Sequence, residues 1–147
     1  MATRCIAACV GKIRLQGWID DPQSPVYYLV LVAKVALPLY PQFGTEPNVY
    51  YIPPVHVPPR FLRQMFGHGV EEAIALYRRA ADDKKLLGAL LLFGSTPEII
   101  HHYKLMGSHA VGFGEKGVEL VRVPLSEPIH IREAYDARHD AFRTNVT

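Results

Sequence analysis

Proline constrains this chain more than any other residue type: there are 12 in 147 positions, and they cluster. The stretch from Ile52 to Pro59 reads Ile-Pro-Pro-Val-His-Val-Pro-Pro. Each proline fixes its own φ and pushes its predecessor out of the helical region, so the stretch is extended and polyproline-like. It cannot form a central strand, and its natural course is across a surface, this protein's own or a partner's. The rest of the chain must fold around that interruption. Its length suits one domain or part of one. Apolar residues make up 49% and charged residues 20%, the proportions of a soluble globular protein rather than a disordered tail. The net charge is +2 and the Lys and Arg residues are dispersed, so nucleic-acid binding is not expected.

The longest apolar runs, Tyr27 to Ala33 and Leu86 to Phe93, are too short for a bilayer core of about 30 Å. No direct membrane span is expected. The first residues lack the long apolar run of a secretory signal, so export would use a partner's signal.

Along the chain, Val10 to Leu15 suits a short strand. Residues 20–25 form a turn in which Ser24 and Pro25 make a good helix cap and first position, predicting a helix from Pro25 to Lys34. The β-branched and aromatic run Val26 to Val32 offers a competing strand. Pro38 to Pro59 is irregular, with a short edge strand at Asn48 to Ile52. Phe61, Leu62, Met65 and Phe66 fall at helical spacing, ended by Gly67. Val70, Ala73, Ile74, Tyr77, Ala80 and Ala81 form one face of a second helix. Lys84 to Phe93 is a third, apolar nearly all round and therefore buried. Ser95 or Thr96 with Pro97 predicts a fourth, running to Met106 and stopped by Gly107. The period then changes to two: Ala110 to Phe113 and Val118 to Val123 read as a β-hairpin, with a further strand at Ile129 to Arg132. The fold class is α+β.

The only two cysteines are Cys5 and Cys9. A bridge between them would close a tiny loop and stabilise little of the chain. In ferredoxin-like sites a C-x3-C spacing ends the run C-x2-C-x2-C-x3-C, and its last cysteine serves the neighbouring cluster. Four residues make about one helical turn, so a chain can give one thiolate to a cluster, turn, and reach the next. Thiolates are soft donors that suit iron. The ordinary alternative is two free cysteines packed as small apolar side chains. Two thiolates cannot complete a four-thiolate cluster.

The run Arg4-Cys-Ile-Ala-Ala-Cys-Val-Gly-Lys-Ile-Arg14 resembles the last cysteine motif of the iron–sulfur β subunits of the dimethyl-sulfoxide-reductase superfamily. The match is closer to the nitrate-reductase-like (type II) branch, which includes ethylbenzene and dimethylsulfide dehydrogenases and chlorate, perchlorate, selenate and nitrate reductases. The resemblance continues through Ala36 to Pro54, Phe61 to Gly67 and Val121 to Pro124. It implies that residues 1–19 end a ferredoxin-like cluster domain. Residues 20–132 would be a mainly helical docking region with short strands and proline-rich extended arms, and 133–147 an extended tail. Cys5 and Cys9 match the third and fourth cysteines of the family's final motif, so the resemblance makes them cluster ligands. The earlier cysteines of the family pattern are absent here, so the chain reads as a C-terminal fragment.

The resemblance further implies a non-catalytic electron-transfer subunit with 4Fe–4S or 3Fe–4S clusters in the whole subunit, and none in this chain alone. Its partners would be a molybdopterin catalytic subunit and a haem b or membrane-anchor subunit. It would be periplasmic by co-export or, alternatively, at the cytoplasmic face of the inner membrane. Lys12 and Arg14 would offset the cluster's negative charge; a solvated strand face is the plain alternative. A second function is a docking module that binds a catalytic partner and holds no cluster.

Other features have plain readings. Trp18 reads as core packing ahead of an electron path. His101 and His102 are adjacent, without the i, i+4 spacing of zinc proteases. Tyr40, Phe43, Tyr50 and Tyr51 read as contact surface, since rigid aromatics bury area at low entropy cost. Gly112 to Gly117 lies inside the hairpin reading with no helix after it, unlike a phosphate loop.

Overall fold

The computed structural model describes residues 3–126 and the backbone of residues 135–136 and 141–142. In chain order the elements are α1 (Arg4–Ala7), α2 (Pro25–Tyr27), α3 (Pro59–Phe66), α4 (Val70–Arg78), α5 (Lys84–Leu91), β1 (His102–Met106), β2 (His109–Phe113), β3 (Glu119–Pro124), β4 (Tyr135–Asp136) and β5 (Ala141–Phe142). Helices thus accompany a small antiparallel sheet, an α+β arrangement. Two compact units result: Met1–Ala33 with Ala80–Ile129, and Lys34–Arg79 with His130–Thr147.

In the first unit, β1, β2 and β3 form an antiparallel sheet in that order. Met106 pairs with His109 across a two-residue turn, Gly107–Ser108. Gly107 sits at φ +60°, the positive value that the first position of a type II′ hairpin turn requires. The second hairpin closes through Gly114, whose N–H donates to the Val118 carbonyl at 2.9 Å. This is the hairpin expected from the sequence. Leu92, Ile100, Ala110 and Val123 form the core, with Leu15, Leu91, Tyr103, Val121 and Leu125 packed against it. Burying one such large side chain contributes roughly 1.5–3 kcal/mol. Helix α5 is buried from Leu86 to Leu90, as its all-round apolar run predicts. The Asp83 carboxylate caps it, accepting from the Lys85 and Leu86 amides.

The Ser24–Pro25 signal works as expected. The Ser24 hydroxyl oxygen accepts from the Val26 N–H, and α2 continues as a π-helical stretch, Tyr28–Val32. The helical reading of this segment therefore wins over the strand.

Two secondary-structure expectations fail in this unit. Val10 to Leu15 forms no strand: Val10 and Ile13 are exposed, and the neighbouring carbonyls bond to loops instead of a sheet edge. The fourth helix is also absent. Ser95 and Thr96 spend their hydroxyls on local turns: Ser95 donates to the Leu92 carbonyl and Thr96 accepts from the Glu98 N–H. The amides that would build the helix go to tertiary partners: Ile100 to Gln16, His101 to Phe113 and Tyr103 to Gln23. Residues 102–106 become β1.

In the second unit, α3 and α4 bury Leu62, Phe66 and Val70 against Leu37, Leu39, Val57, Met65 and Ile74. Gly67, at φ +83°, ends α3 as expected. An exposed Arg63–Glu71 ion pair joins the two helices; such pairs contribute about 0–1 kcal/mol. Residues 38–58 are irregular apart from a 3-10 turn at Pro41–Phe43. The expected edge strand at Asn48 to Ile52 is reduced to one antiparallel bridge, Tyr51 with Leu37. β4 and β5 pair antiparallel. The strand expected at Ile129 to Arg132 lies outside the described residues.

Candidate metal centre

The two cysteines lie on and just after one helical turn, as the four-residue spacing suggests. α1 carries Cys5, exposed; Ala8 ends the turn, and Cys9 follows, half-buried. Gly11 and a left-handed Lys12, φ +51°, then reverse the chain. Beyond them the segment is pinned to the first unit. The Arg14 carbonyl accepts from the Gly94 N–H at 2.8 Å, and the Gln16 carbonyl accepts from the Ile100 N–H at 3.1 Å. Thr3 donates its hydroxyl to Gln16 Oε1 at 3.2 Å, which ties the near end of the turn to the same anchor.

The surroundings of both thiols favour the thiolate. Cys5 is held below its ordinary value chiefly by the Thr3 hydroxyl, 3.5 Å from its sulfur, with the Arg14 charge assisting. Thr3 has one proton, so it serves the Cys5 thiolate only when the Gln16 amide is turned to donate to Thr3. Cys9 is lowered mainly by the backbone N–H of Ile13, then by those of Lys12 and Gly11 and by Arg14. Arg14 therefore acts on both sulfurs. Lys12 contributes its backbone amide, and its side chain is exposed.

Thiols of lowered pKa, one exposed and one half-buried, with N–H donors and a cation beside them, are the chemistry a thiolate-bound metal uses. They fit as part of a donor set. Among the described residues no group of three or more His, Cys, Asp or Glu side chains could hold a metal ion by itself. Thr3 and Gly94 were not singled out from the sequence. Thr3 carries a faint signal, a hydroxyl just before the turn it flanks; Gly94 carries none, because its contact spans most of the first unit.

The remaining residues are used elsewhere. His102 Nε2 lies 3.0 Å from Asp21 Oδ2, and His101 packs its ring 6.0 Å from that of Trp18. Trp18 is 49% exposed, so it is not the core residue expected. Tyr40, Phe43 and Tyr51 are exposed in the second unit and Tyr50 is half-buried. No helix among the described residues is long and apolar enough to cross a membrane.

No family model matches the chain. Curated relatives do. The chlorate reductase subunit beta of Ideonella dechloratans is 38% identical over 115 residues, covering 63% of this chain and 35% of that protein. The selenate reductase subunit beta of Thauera selenatis is 42% identical over 91 residues, covering 50% and 28%. The arsenate respiratory reductase iron-sulfur subunit of Shewanella sp. (strain ANA-3) is 44% identical over 48 residues, covering 33% and 20%. The chain spans about a third or less of the length of these relatives. The chain is thus similar, over part of their length, to the beta subunits of chlorate, selenate and respiratory nitrate reductases, the group that its own motifs resemble.

Proposed function

We propose that this chain is part of an electron-transfer subunit, in which Cys5 and Cys9 give their thiolates to iron–sulfur clusters completed by residues outside the chain. The observation that carries the reading is the pinned cysteine segment, with two lowered thiols, the amides of Gly11 to Ile13 and the Arg14 charge on one short stretch. The likeness to reductase beta subunits, one of them named as an iron-sulfur subunit, supports it. A bound 4Fe–4S or 3Fe–4S cluster would supply one-electron chemistry. The chain's own residues hold the ligands in place, donate N–H groups to sulfur and offset negative charge. The ferredoxin spacing assigns the two thiolates to two different clusters.

Electrons would pass between a molybdopterin catalytic subunit and a haem b or membrane-anchor subunit. The complex would lie in the periplasm after co-export with a signal-bearing partner. Electron paramagnetic resonance of the subunit at full native length, reconstituted anaerobically with and without Cys5→Ala, tests the ligand assignment. Loss or conversion of one cluster signal is expected; an unchanged cluster count sinks the role of Cys5.

A second reading is a docking module that holds no cluster. It is favoured by the exposed apolar side chains Tyr40, Phe43, Val49, Tyr51 and Phe61 of the second unit. Under it the purified 147-residue chain holds no iron and shows no absorbance near about 400 nm. A stoichiometric cluster refutes it.

A further inference from the structure

The proline arm does not pack flat on the helices beside it. Between them lies a half-open cavity of about 310 Å³ within the second unit. Val55 and Val57 line it from the arm, Leu62 from α3, and Val70 and Ile74 from α4. Val57 is anchored on the buried trio Leu62, Phe66 and Val70. Its N–H bonds back to the Pro54 carbonyl at 3.3 Å, and Pro58 and Pro59 fix the φ angles that follow. The arm therefore cannot collapse into the space. The cavity is pre-formed, which lowers the ordering cost of filling it.

The charge beside this apolar hollow is unbalanced. Glu71, Ile74 and Arg78 are spaced three and four residues apart, so they share the face of α4 that lines it. Glu71 is taken by Arg63 of α3. Arg78 gives one long hydrogen bond, 3.4 Å to the Val55 carbonyl, and pairs with no carboxylate among the described residues. A guanidinium has five N–H donors, so most of its capacity is unused. His56, which also lines the cavity, counts as neutral in the formal charge. One positive charge is left unmatched.

We propose that this cavity is a docking pocket for a partner polypeptide: it takes one apolar side chain of about leucine size, and Arg78 binds a carboxylate next to that side chain. Small-molecule sites span about 300–1,000 Å³, and this one stands at the bottom of that range, too small for a nucleotide or a haem. Cationic and apolar surface also continues past Pro59 of its lining, where the Arg60 guanidinium lies 4.6 Å over the exposed Phe61 ring. A polypeptide is broad enough to cover both. The apolar side chain supplies most of the affinity, and the carboxylate selects the segment. The pocket works in the same way whether or not Cys5 and Cys9 hold a cluster.

Blocked tetrapeptides titrated into the nitrogen-15-labelled 147-residue chain, read by nuclear magnetic resonance, test this. Acetyl-Gly-Leu-Asp-Gly-amide should shift the amides of residues 55–57 and 70–78 and leave β1 to β3 unmoved. Alanine in place of its leucine should weaken binding by about tenfold. Asparagine in place of its aspartate should weaken it by about two- to fivefold. Arg78 is exposed at the end of α4, so Arg78→Gln should keep the fold; there the aspartate and asparagine peptides should bind alike while the leucine preference stays. Equal binding of the leucine and alanine peptides, shifts confined to other residues, or no saturable shift overturns the proposal. So does an aspartate preference that survives Arg78→Gln. Octanoate is the competing occupant: tighter binding of it than of the leucine–aspartate peptide at the same residues would make this a fatty-acid site and sink the polypeptide reading.

Discussion

His102 on β1 and Asp21 in the turn before α2 meet through Nε2 and Oδ2 at 3.0 Å. The other Asp21 oxygen accepts from the Gln23 N–H at 2.9 Å. The Gln23 amide first, and His102 after it, hold the carboxyl below its ordinary value of 3.8. The folded state therefore binds this proton more weakly than the unfolded chain. The resulting stability is full above the unfolded value and disappears as pH falls through the lower folded one. Asp21→Asn should melt below the wild type at neutral pH and converge with it in acid. Parallel melting curves across the whole pH range would contradict this.

Ser24 is wholly buried and caps α2 through its hydroxyl oxygen. Removing such a cap costs about 1 kcal/mol, within a range of 0.5–2. Ser24→Ala should lose that much in a denaturant titration. A loss of a few tenths would mean that the π-helical continuation needs no cap.

Two glycines invite alanine with different outcomes. A Cβ on Gly17 would meet the Ser24 Oγ at 2.8 Å and the Ile100 carbonyl oxygen at 3.1 Å, a fixed wall. Gly17→Ala should destabilise by about 1–3 kcal/mol. A Cβ on Gly88 would meet the end of the Leu105 side chain at 2.7 Å, which is partly exposed and can turn away, and the buried Ala110 Cβ at 3.3 Å, which must give by a few tenths of an ångström. The helix gain of about 1 kcal/mol from replacing glycine offsets that adjustment. Gly88→Ala should therefore fall near neutral, and the same denaturant titration ranks the two.

Tyr103 buries its hydroxyl with no hydrogen-bond partner among the described residues, and burial pushes its phenol well above the ordinary value. An unmet buried hydroxyl costs about 1–3 kcal/mol. Tyr103→Phe should raise stability by about 1 kcal/mol or more. A lower melting temperature would show that a water or another group satisfies the hydroxyl.

Both thiols should be alkylated at a lower pH than an ordinary cysteine, since thiolate is the reacting form. In the iron-free chain, Arg14→Gln should move the rate profiles of Cys5 and Cys9 upward in pH, because Arg14 acts on both. Thr3→Val should move Cys5 alone. Mass spectrometry of iodoacetamide adducts over a pH series resolves the two sites; profiles indifferent to either substitution would remove the electrostatic account.

The sequence shows clearly those elements whose bonding is local. Helices α3, α4 and α5 carry a periodic apolar face and close their own hydrogen bonds, and Ser24 caps α2 from two residues away. The β2–β3 hairpin is legible for the same reason. Residues 95–106 mislead because their Ser-Thr-Pro start is a good local signal, while their amides are claimed by Gln16, Gln23 and Phe113. No window around Ile100 contains those partners. Val10 to Leu15 fails likewise, its alternation outweighed by loop contacts at Gly94 and Ile100. At the site, Cys5, Cys9 and Arg14 are visible as residue types and spacing. The bond from Gly94 to Arg14 is not, because it depends on a backbone approach between distant segments.

The partners Asp21 and His102 stand 81 positions apart, and the bonds from Arg14 to Gly94 and from Gln16 to Ile100 join segments of similar separation. During synthesis, then, Cys5 and Cys9 emerge well before the loops that fix their segment, and they wait undocked while residues 34–79 of the second unit are made. Contacts of such long range form late. For that interval the thiols are open to oxidation and to stray metals, so the order of translation itself sets how long this stretch must be kept reduced.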